Sequence, residues 1–251
     1  MKNDFSVDVT IKAGVGTLTF STPDHNALPS FALSEIESGL LRLSQDATVK
    51  VIVLKSGGDR TFCAGASFKE LIAIEDEGQG KGFFMGFAKV ILAMRSCPQL
   101  IICRVQGKAV GGGVGLAAAA DYCLATKHAA VKLSEISIGI GPFVIGPAVE
   151  RKMGVSAFSQ LSIDATEFYS ADWAHARGLY AEVFEDAQSM DAAVEALSKR
   201  LSTYNPEALR ALKTMFWQGT GGWPQLLEER AAQSGKLVLS RFTKDVLAGY
   251  K

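Results

Sequence analysis

Twice in its first half the chain runs from a β-branched apolar stretch into a loop almost bare of side chains, and then into a helix-like segment. Val49–Leu54 leads to Ala64-Gly65-Ala66, and Gln99–Val105 leads to Gly111-Gly112-Gly113. A loop without side chains leaves its amide N–H groups open, and a helix N-terminus behind it adds partial positive charge. Two such loops, one after each of two buried strands, can converge on one oxygen. A phosphate, an enolate or a tetrahedral species would suit that point. The same glycines would also serve plain close packing of helix on strand. Strands alternating with helices predict an α/β fold with a parallel sheet.

The other elements follow from pattern. Val7–Ile11 and Gly16–Phe20, either side of Gly14, predict a hairpin. Ser30 is a candidate cap for a helix to about Ser44, with Phe31, Ile36, Leu40, Leu41 and Leu43 on its apolar face. Tyr122–Ala125 and Ala130–Leu133 predict further strands, and the polar, glycine-bearing Glu75–Gly82 a mobile surface loop. Beyond Pro147 the pattern turns helical, with amphipathic segments at Met190–Leu201, Pro206–Trp217 and Gln225–Leu239. The expected organisation is an α/β core over residues 1–190 and a helical region over 191–251 that completes it, not an independent domain.

Composition narrows the function. The chain has 251 residues, 26 basic and 26 acidic, with a net charge of zero. That balance argues against a nucleic-acid partner, whose affinity rests on basic surface. Met1-Lys2-Asn3-Asp4-Phe5 opens no secretory signal, and no apolar run is long enough for a membrane span. The four cysteines form no Cys-x-x-Cys pair and sit in apolar sequence, which predicts reduced, buried thiols in a cytoplasmic protein. With only three histidines, no metal site is expected. Gly113-x-Gly115-x-x-Ala118 matches a dinucleotide fingerprint, but the next strand ends Ala125-Thr126-Lys127, without the required carboxylate. No Gly-Lys-Ser/Thr occurs, so a P-loop is excluded.

Five stretches in order resemble the crotonase (enoyl-CoA hydratase/isomerase) family. They are Pro23-Asp24-His25-Asn26-Ala27-Leu28, Phe62–Glu70, the Gly107 to Asp121 glycine and alanine segment, Leu133-Ser134-Glu135-Ile136-x-Ile138-Gly139, and Ala171–Val183. The resemblance covers about residues 7–240. It implies a crotonase-like spiral of ββα units with C-terminal helices used in trimerisation, as a homotrimer or a hexamer built of two trimers. It also implies an acyl-CoA thioester as substrate, with coenzyme A as part of that substrate and no separate cofactor. The thioester oxygen would be held by the amides of Ala66 and Gly112, with Glu135 as acid/base. Asn26, Ala27, Ala64, Ser67 and Phe68 would also meet the substrate, the loop around Ala64–Phe68 at its adenine and pantetheine parts. Gly111 and Ser134 would meet it too, and Phe143 is a candidate for the acyl pocket or for core filling.

The chemistry of such a set is coherent. A carboxylate alone cannot remove a thioester α-proton, but two preorganised amides stabilise the enolate oxygen by about 2.7–4 kcal/mol each. One carboxyl group, raised toward neutrality by partial burial, can then move protons. The sequence departs from the best-known hydratases at Gly115, where those carry a second catalytic glutamate. A lone Glu135 leans toward double-bond isomerisation. The Gly-Gly-Gly-Val-Gly-Leu form followed by Ser-Glu-Ile resembles the methylglutaconyl-CoA hydratase-like branch. Hydration of a 2-enoyl-CoA is therefore the first expectation. Isomerisation, or CoA-ester binding without turnover, are the alternatives. His25 reads as a turn residue, Cys63 as a buried small residue, and Asp121 as the end of the central helix. Lys69, Arg151 and Lys152 are candidates for CoA phosphates, or simply solvated.

Overall fold

The computed structural model describes residues 5–249; the Met1–Asp4 segment considered above for a secretory signal lies outside them. Strands β1 (Ser6–Lys12) and β2 (Val15–Ser21) form the expected antiparallel hairpin, turning through Ala13 and Gly14 at φ of 50° and 80°. Helix α1 (Ser30–Gln45) follows, with Ala32, Leu33, Ile36, Leu40 and Leu43 buried. Two expectations need correction here. Ser30 is the first helical residue and Pro29 the cap, because the Glu70 carboxylate reaches across to the Ser30 amide (2.8 Å) and hydroxyl (2.6 Å). Phe31 and Leu41 lie exposed, beside the buried stripe and not on it.

The chain then winds through three ββα turns. The first holds β3 (Val51–Ser56), β4 (Thr61–Cys63), α2 (Phe68–Ala73) and α3 (Glu77–Ser96). The second holds β5 (Leu100–Val105), β6 (Lys108–Val110) and α4 (Gly112–Ala119). The third holds β7 (Tyr122–Thr126), β8 (Val131–Lys132), a 3-10 turn at Glu135–Ile138, and α5 (Gly146–Ile163), which breaks at Gly154. After α6 (Ala171–Ala176), β9 (Glu182–Phe184) closes the larger sheet. Among the described residues that sheet runs β1-β2-β3-β5-β7-β9, parallel from β2 onward; the second strand of each turn joins a smaller parallel sheet, β4-β6-β8.

The larger sheet is covered on both faces, so its central strands are almost continuously apolar. Ile52 and Leu54 of β3 join the main core, while Val51 and Val53 face the other way, onto Met190 and Val194. Those two residues belong to α7 (Ala187–Ser202), which is the back cover of the sheet and is pinned to β5 by the Arg104–Asp191 ion pair. A boundary at 190/191 thus falls inside a helix that belongs to the α/β core.

The segment expected as a mobile loop over Glu75–Gly82 is largely the first turns of α3, capped by the Asp76 carboxylate on the Gln79 amide at 2.8 Å. Gly80 lowers helix propensity, but it lets α3 cross α9 (Trp223–Leu237) backbone to backbone: a Cβ on Gly80 would lie 2.7 Å from the Gly235 Cα. Tertiary packing overrides local propensity here.

The helical C-terminus is tied down from the centre. Asp121, just past α4, accepts from the Ile101 amide (2.8 Å), from Lys213 Nζ (2.6 Å) and from Trp217 Nε1 (3.1 Å). Lys213 lies on α8 (Pro206–Phe216), and Trp217 packs edge-on against Trp223. Arg151 stacks over Trp217 at 3.9 Å, and Lys152 donates to the Ala120 and Asp121 carbonyls. Two of the three cations considered for CoA phosphates, Arg151 and Lys152, are therefore engaged by the fold. Finally, α10 (Arg241–Ala248) packs on the turn that carries Glu135. Among the described residues no helix is long and apolar enough to cross a membrane.

Candidate active site

The smaller sheet positions the site. Its strands are parallel and adjacent, so the loops leaving their C-terminal ends lie side by side, where open α/β sheets place ligands. The loop after β4 is Ala64-Gly65-Ala66, that after β6 is Gly111-Gly112-Gly113, and that after β8 is Ser134-Glu135. The first two touch: a Cβ on Gly65 would lie 3.0 Å from the Val110 oxygen and 3.6 Å from the Gly112 nitrogen.

Both amides are left over by the fold. Leu28 bridges the first loop as a parallel strand would, donating to the Gly65 carbonyl (2.7 Å) and accepting from the Ser67 amide (3.1 Å). In such a bridge the N–H of the intervening residue, Ala66, points to the opposite side. Gly112 is the first residue of α4, whose initial amides have no intrahelical acceptor. Neither amide enters a backbone hydrogen bond among the described residues.

Each glycine of the triplet has its own neighbour. Gly111 sits at φ 52°, ψ −117°, a conformation that excludes most side chains, and its Cβ would meet Glu135 Oε1 at 2.8 Å. Gly112 lies under the Phe87 ring of α3, and Gly113 against the Cys63 carbonyl. Gly112→Ala would place a methyl 2.1 Å from the Phe87 ring. We expect that substitution to cost about 1–3 kcal/mol in a denaturant titration and to depress turnover, because the amide shifts as the ring is displaced.

Glu135 opens the 3-10 turn, and its Oε2 is buried with no hydrogen-bond partner among the described residues. Burial pushes its carboxyl up to about 7, with only a weaker opposing effect from its own amide. Among the described residues that line a cleft of about 600 Å³, it is the only ionisable side chain. Most of the other lining side chains are apolar, with Leu71, Phe84, Phe87, Ile140 and Phe143 among them.

Of the expected site residues, Ala64, Ala66, Phe68, Gly111, Gly112, Ser134, Glu135 and Phe143 line this one cleft. Asn26, Ala27 and Ser67 do not. Asn26 is buried at φ 59° and its amide is consumed by the fold, accepting from the Thr22 amide and donating to the Gly57 and Thr61 carbonyls. The Ala27 carbonyl accepts from Thr22 Oγ1, and Ser67 caps α2. Lys69 pairs with Asp24 in an exposed bridge. Cys63 is buried, which pushes its thiol up to about 12 and makes it a poor nucleophile. Phe84, Phe87, Ile145 and Ser234 complete the cleft and were not foreseen; no local motif marks them.

Gly115, the position of the missing second glutamate, is fully buried against Ile145, whose Cγ2 would lie 2.5 Å from an added Cβ. Ile145 also lines the cleft, so a branched alkyl group fills the wall beside Gly115.

The family model for enoyl-CoA hydratase/isomerase matches residues 10–246. The chain is 28% identical over 213 residues to a probable enoyl-CoA hydratase of Bacillus subtilis, covering 84% of this chain and 82% of the relative. It is 29% identical over 237 residues to a carnitinyl-CoA dehydratase of Salmonella enteritidis, covering 92% and 87%. The crystal structure of an enoyl-CoA hydratase from Bacillus halodurans superposes with a TM-score of 0.89 over 97% of this chain and 99% of that one, at 19% identity, which speaks to the crotonase fold. With the family model spanning nearly the whole chain, the protein belongs to the enoyl-CoA hydratase/isomerase family.

Proposed function

We propose that the protein hydrates a 2-enoyl-CoA, with the amides of Ala66 and Gly112 on the thioester oxygen and Glu135 as its single acid and base. The observation that carries this reading is one carboxyl group, its Oε2 buried without a partner among the described residues and its pKa pushed up to about 7, in the same cleft as two unspent amides. Ionised Glu135 takes a proton from water as the water oxygen bonds to the β-carbon. The double-bond electrons move toward the thioester oxygen, where the two amides hold the enolate. Glu135, now neutral, returns its proton to the α-carbon. The sum is addition of water, from one face. A group near 7 serves both halves, being neither a poor base nor a poor acid at neutral pH.

A second reading is favoured by Ile145. With an alkyl wall beside Gly115, no second carboxyl group lines the cleft among the described residues to hold a water, and Glu135 alone would shuttle a proton between α- and γ-carbons, isomerising a 3-enoyl-CoA. Assays on matched 2-enoyl- and 3-enoyl-CoA panels separate the two. Hydration predicts 3-hydroxyacyl-CoA from the first panel; isomerisation predicts 2-enoyl-CoA from the second and no water uptake. No turnover of either panel would remove both readings.

The family resemblance also carries assembly as a trimer or a dimer of trimers. Ile136, Val155 and Ile163 are exposed (51%, 63% and 81%) and line a groove beside Phe143, an apolar face that suits a subunit contact. Light scattering behind size exclusion should give a mass of three or six chains; a monomer at micromolar concentration would contradict the assignment.

A further inference from the structure

We propose that Thr243 of α10 is a positioning residue for Glu135, holding the turn that carries it so that the carboxyl group faces the cleft and not water. The inference rests on the acyl-CoA reading above and adds to the same machinery a residue that does not line the cleft.

Among the described residues, no neighbour grips the Glu135 side chain itself. Its Oε2 has no hydrogen-bond partner, and the one donor acting on the carboxyl group is its own amide. The carboxyl group therefore goes where the backbone of the turn goes. That turn is a single 3-10 stretch, Glu135–Ile138, with no side-chain cap at Ser134. It closes at Gly139, which sits at φ 84° and donates its amide back to the Glu135 and Ile136 carbonyls. The position of Gly139 thus sets that of Glu135.

α10 fixes Gly139 by direct contact. A Cβ there would lie 2.4 Å from Thr243 Oγ1 and 2.6 Å from the Phe242 ring, so the helix rests on the Gly139 backbone. Thr243 is 0% exposed and Phe242 62%, so Thr243 is the contact that the fold encloses. Its own place is fixed by Ser240, which caps α10 and donates to Thr243 Oγ1 at 3.0 Å. Next to it, Lys244 donates to the Ile74 carbonyl (2.5 Å) at the end of α2. α2 follows the Ala64-Gly65-Ala66 loop, so one short helix bears on both the helix behind the first amide and the turn behind the carboxyl group. Reacting groups must be held to within about 0.5 Å of the productive geometry, and α10 supplies that hold from outside the cleft.

The same contact keeps the carboxyl group dry. Burial raises it to about 7, and no charged neighbour shares in that effect. On α10, Arg241 pairs with Asp245, and Lys244 is bound to the Ile74 carbonyl. On α5, Arg151 and Lys152 are engaged by the fold, and Glu150 lines the groove outside the cleft. On β8, Lys132 donates to the Thr166 carbonyl. The parts of α2, α3, α4 and α9 that line the cleft bring no ionisable side chain to it. A turn that comes loose would admit water and let the value fall toward 4.5.

The test measures kcat, KM and pH profiles on 2-enoyl- and 3-enoyl-CoA panels for wild type, Thr243→Ala and Thr243→Val. Thermal midpoints and circular dichroism establish that each variant folds. Infrared difference spectra across a pH titration follow the protonated Glu135 carboxyl group directly, its band being the one lost in Glu135→Gln. Thr243→Ala should lower kcat by about tenfold to a hundredfold with little change in KM. It should also move the ionisation, in kcat/KM and in the infrared, from near 7 toward 4.5. Thr243→Val keeps the shape that bears on Gly139 and should restore most of both. Wild-type kcat in a folded Thr243→Ala, or an ionisation that stays near 7 while only the thermal midpoint falls, would overturn the role of Thr243 and leave the enoyl-CoA reaction standing. Should Thr243→Ala not fold, Phe242→Ala, an exposed truncation on the same glycine, is held to the same outcomes. Turnover of neither panel by wild type would overturn the acyl-CoA reading and this proposal with it.

Discussion

Glu135→Gln is expected to lower kcat by about 10²- to 10⁴-fold with little change in KM, since the amide keeps the shape of the side chain and removes its proton. Wild-type kcat/KM should rise with pH through a single ionisation near 7, the value to which burial lifts the carboxyl group, and the variant should lack that limb. The same substitution has a stability signature of known sign. In the folded protein Glu135 titrates near 7 and in the unfolded chain near 4.5, so its ionisation opposes folding. That opposition is absent below about pH 4.5, grows between the two values, and is complete above about pH 7. Glutamine removes it. The variant should therefore be more stable than wild type by about 3 kcal/mol near pH 8 and no more stable near pH 4. A residue that loses activity and gains stability when neutralised is held in a strained electrostatic state for function.

Asp121→Ala is expected to destabilise the protein by about 3–5 kcal/mol, which for a chain of this size lowers the thermal midpoint by roughly 6–20 °C. The side chains of Asp121 and Lys213 are each 3% exposed, and removing the carboxylate strands the ammonium group in the interior. The Trp217 indole and the Ile101 amide lose their acceptor at the same time. Adding Lys213→Met should recover part of the loss, because the stranded charge, more than the missing attraction, dominates it. A single variant within about 1 kcal/mol of wild type in urea would mean that the α8 anchor lies elsewhere.

What could be read from the sequence was what is local. The two bare loops, the strands that feed them and the glutamate after the third strand lie within short windows. Glycine, alanine and β-branched residues in those windows speak directly about backbone and burial. Four kinds of feature escaped. Asp121 reads locally as the end of a helix, because its partners Lys213 and Trp217 are 92 and 96 residues away. The first turns of α3 read as a loop because of their glycines, which only the crossing with α9 explains. Asn26 matched a family motif, yet its amide is spent on the Thr22, Gly57 and Thr61 backbone, a use that becomes visible only when the three segments meet. The acyl walls escaped for the same reason: Phe84 and Phe87 come from α3, Ile145 from before α5, and Ser234 from α9. Gly115 was legible as a departure, but its packing against Ile145 was not.

The account stands on one physical arrangement, with the Ala66 and Gly112 amides and the Glu135 carboxyl group acting on a single thioester. The most direct measurement is hydrogen–deuterium exchange at the α-carbon of butyryl-CoA in heavy water, followed by proton NMR. This saturated substrate can form the enolate but can neither add water nor move a double bond. Wild type should introduce deuterium at the α-carbon, and Glu135→Gln should bind the ester without exchanging it. Exchange at the wild-type rate in Glu135→Gln, or tight binding by wild type with no exchange at all, would contradict the arrangement.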